Sequence, residues 1–432
     1  MTELLSPAGS LKNMRYAFAY GADAVYAGQP RYSLRVRNNA FDHDNLKIGI
    51  DEAHALGKKF YVVVNIQPHN AKLKTFIRDL EPVVAMQPDA LIMSDPGLIM
   101  MVREHFPNVV IHLSVQANAV NWATVKFWQN YGISRVILSR ELSIEEIAEI
   151  HAQVPDIELE VFVHGALCMA YSGRCLLSGY MNKRDANQGA CTNACRWDYK
   201  VHPAKENETG EIVLADPVLL QQGSKPELIE MDEDEHGSYI MNSKDLRAVQ
   251  HIQRLIDIGV SSLKIEGRTK SYFYCARTAQ VYRKAIDDAL AGKPFDQSLL
   301  TTLEGLAHRG YTEGFLRRHV HAEYQNYENG TSQNFHQQFV GEVLQREGKY
   351  ICIAVKNKFL VGDQLELMTP QGNHIFILED MLDKKDQPIH DAKGDGHIVK
   401  IAMDQNIQIE YALLMRFLPE NKHLNVLATK AG

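Results

Sequence analysis

Cys168, Cys175, Cys191 and Cys195 fall within twenty-eight residues, spaced C-x6-C-x15-C-x3-C, in a chain with six cysteines. Four thiols in one glycine-rich stretch can close around a single metal centre. Structural zinc sites usually use C-x2-C knuckles, and none occurs here. An iron–sulfur cluster held by four thiolates tolerates irregular gaps. Gly165, Gly173, Gly179 and Gly189 let the backbone approach a bulky group. Cluster and zinc stay open as readings, with unliganded thiols a third. Cys275 lies in a helical run and Cys352 in a β run, and both read as buried thiols. His164 precedes Cys168 by four residues. It could activate that thiol, or merely sit beside a metal site or in solvent.

Other chemical signatures are missing. No H-E-x-x-H, G-x-S-x-G or G-x-x-x-x-G-K-[ST] occurs. A net charge of −7 argues against a general nucleic-acid coat but leaves room for a local basic face. Arg31, Arg35 and Arg37 form one basic run. Lys183, Arg184 and Arg196 flank the cysteines, and Lys264, Arg268 and Lys270 follow a strand pattern. Each run alone reads as solvated charge, so position in the fold must decide. With 45% apolar and 23% charged residues, the composition is that of a soluble globular chain. No secretory signal pattern is visible, and no apolar run is long enough to span a bilayer. The expectation is a cytoplasmic protein without membrane partners, in which clustered thiols act as ligands rather than disulfides.

Eight short β-rich runs alternate with helical patterns over residues 3 to 291. They are 3–6, 22–27, 60–65, 90–94, 109–115, 135–139, 157–163 and 262–266. Several are nearly continuous apolar runs, as strands of a buried parallel sheet should be. Ser10, Asp42 or Asp44, Asp95 with Pro96, Asn121, Ser143 with Glu146, and Ser243 read as helix starts. Gly21, Gly57, Gly132 and Gly259 read as stops. The pattern predicts a (β/α)8 TIM-like barrel, with a doubly wound sheet as the alternative. The alternation breaks at about 166–241, an insertion after strand 7 that bears the cysteines and an acidic surface loop at 231–236. Residues 1–325 form the expected catalytic domain and 326–338 a linker. Residues 339–432 read as a small all-β barrel domain, with short strands and turn signals.

A barrel places the C-terminal strand ends in one bowl, where such folds carry their chemistry. The bowl would hold Ser6, Tyr26, Asn65, Asp95, Ser114, Gln116, Ser139, Arg140, Glu141, His164, Lys264, Glu266 and Arg268. A core has no need of such residues, because unpaired polar groups are costly to bury. Some would be solvated or mutually paired, as Lys264 with Glu141. Arg140, Arg268, Lys264 and nearby Arg31 suit an anionic substrate, since guanidinium forks match carboxylate and phosphate. Asn65 and Gln116 join them as substrate-binding candidates. His164, Glu266 and Lys264 are the candidates for catalysis, with His164 as proton donor.

The block Glu160–Ser178, EVFVHGALCMAYSGRCLLS, resembles the signature of the "collagenase-like" unassigned-peptidase family 32. Leu4–Gly9, Gly21–Gln29, Leu113–Asn118, Ser262–Arg268 and His308–Phe315 fit the same family. The resemblance implies an RNA-modifying enzyme more than a protease. It implies hydroxylation of a tRNA wobble uridine to 5-hydroxyuridine, dependent on prephenate and on the iron–sulfur assembly machinery. Relatives also hydroxylate a ribosomal RNA cytidine or act in ubiquinone synthesis. By resemblance, a [4Fe-4S] cluster would sit on Cys168, Cys175, Cys191 and Cys195. Peptidase action, ribosomal RNA hydroxylation and a purely structural cluster in an RNA-binding factor are the competing expectations.

Overall fold

The computed structural model turns the alternating pattern into a closed barrel. It describes residues 2–34, 40–167, 244–308, 310–317, 337–394 and 396–418, with shorter stretches between 171 and 238. Arg35, Arg37, Cys168, Cys195, Arg196, Ser243 and residues 326–336 of the expected linker lie outside the described residues.

Eight parallel strands form the wall. They are β1 (Glu3–Pro7), β2 (Ala24–Gly28), β3 (Lys59–Val64), β4 (Ala90–Met93), β5 (Ile111–Leu113), β6 (Arg135–Ile137), β7 (Glu158–Ala166) and β8 (Ser262–Ile265). β8 pairs with both β1 and β7, which closes the ring. Every residue of β1, β2 and β4 is buried, as a sheet covered on both faces requires. The outer layer is α1 (Leu11–Ala19), α2 (His43–Ala55), α3 (Asn70–Ala85), α4 (Pro96–His105), α5 (Trp122–Asn130), α6 (Ile144–Gln153), α7 (Ile252–Ile258) and α8 (Tyr272–Leu290).

The end signals act as chemistry predicts. Ser10 Oγ accepts the Asn13 amide at 3.2 Å, and Asp95 accepts the Leu98 amide at 2.9 Å beside Pro96. Ser143 and Glu146 form a reciprocal capping box. One start differs. The helix expected from Ser243 begins only at Ile252, because Asp245–Arg247 forms a strand antiparallel to β7. β7 runs past the barrel rim to Ala166, and this strand satisfies backbone groups there.

The insertion carries a three-stranded antiparallel sheet of Tyr199–Glu206, Ile212–Gln222 and Leu228–Glu230. Within the acidic stretch, Glu233–Asp234 pairs with Gly237–Ser238.

The C-terminal part builds a seven-stranded antiparallel sheet that starts at Gln337–Glu347 and ends at Leu413–Phe417. Val340, Ile351, Ile353, Leu365 and Leu414 belong to its own core. Met368, Leu413 and Met415 instead join the core of the barrel. Arg277 of α8 and Glu366 form a buried ion pair at 2.5 Å across the junction. Tyr20 donates to the carbonyls of Met368 and Tyr411 at 3.0 and 2.9 Å. Phe273 stacks on Phe339 at 5.2 Å.

Candidate active site at the barrel mouth

Strand alternation decides which side chains enter the barrel. Glu3, Arg135, Glu160 and Lys264 do so and form a chain of charges. Arg135 bonds Glu3 at 2.6 Å and Glu160 at 3.3 Å. Lys264 Nζ donates to Glu160 at 2.6 Å, and Tyr61 donates to Glu3 at 2.7 Å. Barrel interiors are usually filled by branched aliphatic side chains, so this polar axis is a departure. Burial raises the Glu3 carboxyl, but Arg135 beside it prevails and holds it below the usual carboxylate range. Burial pulls the Lys264 ammonium down against the opposing pull of Glu160.

Lys264 thus differs from its expected role. Its side chain is only 4% exposed and salt-bridged to Glu160 rather than Glu141. It is a fixed charge beneath the mouth and not an open binding group. Glu141 instead accepts from Ser139.

Above this axis lies a rim of aromatic rings and cations. Arg140 sits 3.9 Å over the Phe162 ring and 3.3 Å from Glu266. Lys264 lies 4.2 Å and Arg268 5.9 Å from the Tyr26 ring. Arg268 donates to the Leu34 carbonyl at 2.8 Å. A Cβ on Gly28 would come within 2.7 Å of Arg268 Nη1 and overlap Ser33 Oγ, so glycine leaves room for both. Asn65 donates to Ser114 at 3.2 Å and accepts the Leu34 amide at 3.1 Å. Gln116 is 7% exposed, and its Oε1 has no partner among the described residues. Asn118 Oδ1 and Ser33 Oγ share that condition. Unmet buried polar atoms cost about 1–3 kcal/mol each, so several near one mouth mark a place for a ligand. The structure thus places Arg140, Glu266, Arg268 and Asn65 around the mouth, with Gln116 on the turn that follows Ser114.

Three expectations change. Arg31 is ion-paired with Asp79 of α3 at 2.5 Å and half exposed, which commits it to the outer rim. Ser6 shares a register with Val25, while its neighbour Leu5 pairs with Lys264, so Ser6 faces the helices. His164 is turned out of the barrel by a bulge. Lys264 pairs with Phe162, but the next residue, Ile265, pairs with His164. One extra residue on β7 flips the following side chain to the outer face. There His164 is 1% exposed, with Nδ1 3.3 Å from Tyr282 Oη and the rings of Tyr274 and Tyr311 around it. Burial lowers its pKa to about 3, so it is neutral at physiological pH and unsuited to donate a proton.

The cysteine-bearing segment leaves β7 at this rim. Gly165 has φ +107, and a Cβ there would meet the Glu266 carbonyl at 2.5 Å. Asn118 Nδ2 donates to the Ser172 carbonyl at 2.9 Å, tying the segment to the loop after β5. Ser178 is 2% exposed, and its Oγ accepts the Thr192 amide at 3.0 Å. Ser178 thereby joins the stretch that bears Cys175 to the stretch that bears Cys191. Cys175 and Cys191 thus lie on segments that Ser178 joins, and thiols are the donor type a thiolate-held metal group takes. Among the described residues no three His, Cys, Asp or Glu side chains converge as a metal site, and Cys168 and Cys195 lie outside them. Cys275 is a buried thiol that donates to the Pro7 carbonyl at 3.4 Å, and burial pushes its pKa up to about 12.

Sequence reasoning missed Phe162, Asn118 and the Glu3–Arg135–Glu160 axis. Glu158 and Glu160 sit two apart in an otherwise apolar strand, a signal that one face of β7 is polar. A cavity of about 140 Å³ lined by Val249, Ile252, Phe295 and Leu299 lies in the helix layer and contains none of the predicted residues. Among the described residues no helix is long and apolar enough to cross a membrane.

A closed barrel with a cysteine-bearing insertion at its C-terminal face, joined to an antiparallel sheet domain, defines the class. The chain belongs to peptidase family U32: the model "Peptidase family U32" matches residues 9–326, and "Peptidase family U32 C-terminal domain" matches residues 336–416. The family expected from the sequence is borne out. The chain is 69% identical over 436 residues to tRNA hydroxylation protein P of Escherichia coli, covering 96% of each chain. It is 67% identical over 453 residues to tRNA hydroxylation protein P of Haemophilus influenzae, covering 98% of each. A 30% identical match over 376 residues, 85% of this chain and 52% of the other, is the 23S rRNA 5-hydroxycytidine C2501 synthase of Escherichia coli.

Proposed function

We propose that this protein is a tRNA hydroxylase that converts the wobble uridine to 5-hydroxyuridine in the cytoplasm, with prephenate as co-substrate and a [4Fe-4S] cluster on Cys168, Cys175, Cys191 and Cys195. The observation that carries the reading is the junction at the mouth. Asn118 ties the segment that bears Cys175 to the loop after β5, Ser178 joins it to the segment that bears Cys191, and the same mouth presents Arg140, Arg268 and Glu266. High identity to proteins named for tRNA hydroxylation supports it.

When bound, the cluster would supply electron transfer; converting C–H to C–OH is a two-electron oxidation that also takes an oxygen atom from a co-reactant. The chain's own residues bind and orient. Arg140 and Arg268 offer guanidinium groups to carboxylate or phosphate. Glu266 limits the swing of Arg140 through their 3.3 Å contact. The buried rings of Phe162 and Tyr26 back these cations, with Arg140 3.9 Å over Phe162 and Lys264 4.2 Å from Tyr26. Lys264 contributes positive potential from below while Glu160 holds it in place.

The test is mass spectrometry of tRNA nucleosides from cells lacking the protein, complemented with wild type, Cys191→Ala or Cys275→Ala. Wild type and Cys275→Ala should restore 5-hydroxyuridine. Cys191→Ala should not, and the purified variant should lose visible absorbance and iron. Full modification by a colourless variant would sink the cluster assignment, and zinc in place of iron would favour the other metal. Unchanged tRNA with altered ribosomal RNA would move the substrate to the larger RNA. The peptidase reading suggested by the family name finds little support here, since His164 is turned away from the mouth and Cys275 is kept protonated.

A further inference from the structure

We infer that Gln116 reads the target base, accepting the ring N3–H of a uracil through Oε1. This rests on the RNA-hydroxylase reading and goes further, naming what selects the base. Gln116 lies two residues past Ser114, which meets Asn65 in the barrel mouth. It is 7% exposed, in the short 3-10 turn Val115–Ala117. Its Oε1 is buried without a partner among the described residues.

The turn is held rigidly. Asn118 adopts a left-handed conformation, φ 52 and ψ 52. Its amide nitrogen donates to the Gln116 carbonyl at 3.2 Å and to the Ser172 carbonyl at 2.9 Å. Asn118 is thus a positioning residue that fixes the Gln116 turn against the cysteine segment. The carboxamide carried on this turn has an acceptor and a donor side by side. Uracil offers the complement, an N3–H donor beside an O4 acceptor. Cytosine in the same pose places its N3 lone pair against Oε1, which is repulsive. A buried polar group that lacks its partner discriminates strongly against ligands unable to satisfy it.

Three anticodon stem-loops identical except at the wobble position test this by fluorescence anisotropy. They carry uridine, cytidine or N3-methyluridine, and the full-length protein is used. Wild type should bind the uridine RNA about tenfold tighter than the N3-methyl RNA, the value of one hydrogen bond. Gln116→Ala should bind all three alike, at near the wild-type affinity for the N3-methyl RNA. Equal wild-type binding of the uridine and N3-methyl RNAs overturns the inference without any variant. So does an unchanged ratio in a folded Gln116→Ala protein. If wild type forms no hydroxyuridine in the nucleoside assay, the hydroxylase reading fails. If it does, and the ratios are flat, only the role of Gln116 fails.

Discussion

Burial decides chemistry at the scale of single residues, and His164 is the clearest case. Its folded pKa of about 3 lies below the unfolded value near 6.5. Protonation therefore favours the unfolded chain. The stability from keeping this ring neutral is complete above about pH 6.5 and is lost as pH falls toward 3. Between pH 6.5 and 5 the loss is about 1.5–2 kcal/mol. Urea unfolding at those two pH values should show that drop in wild type and a smaller one in His164→Phe. Equal drops in both proteins would mean another group is responsible. The same scale separates the two kinds of cysteine, since Cys275 is sealed under α8 while Cys191 is exposed near the mouth.

Among the elements, the β7 extension does most to shape the site. Ordinary alternation sends Phe162 inward, the bulge beyond it turns His164 outward, and the strand's end releases the cysteine segment at Gly165. Ser178 then ties two parts of that segment together through Thr192. Ser178→Ala removes a buried acceptor from the Thr192 amide, at a cost of about 1–2 kcal/mol. The purified variant should carry less iron per chain than wild type and lose its colour faster under air. Iron content and bleaching rate equal to wild type would show that this tie does not hold the metal segment.

For the whole molecule, the sheet domain is a fixed neighbour of the barrel rather than a tethered extra. Arg277 and Glu366 are buried together, with Gln337 and Asn373 also bonded to Glu366 at 2.9 and 2.7 Å. Lys12, Tyr16 and Tyr272 all reach Glu342, whose carboxyl burial raises and these three partners together lower. Removing one member of a buried ion pair costs about 3–5 kcal/mol, while replacing both by apolar residues is often neutral. Arg277→Met should therefore destabilise the protein by about that much and split its unfolding into two steps. Arg277→Met with Glu366→Met should recover most of the loss and a single transition. A double variant as unstable as the single one would place the energy elsewhere in the junction.

The eight strands, most helix starts and the family were legible in the sequence, because apolar period and capping chemistry are local properties. The gathering of Arg140, Glu266 and Arg268 followed from the barrel, since strand ends of such a fold converge. What tertiary structure alone decided was the direction each side chain takes. A single extra residue on β7 moved His164 from the mouth to the helix layer. Register, not composition, gave Lys264 the partner Glu160. The unmet oxygen of Gln116 has no local signature at all, because a missing partner is a property of everything packed around it.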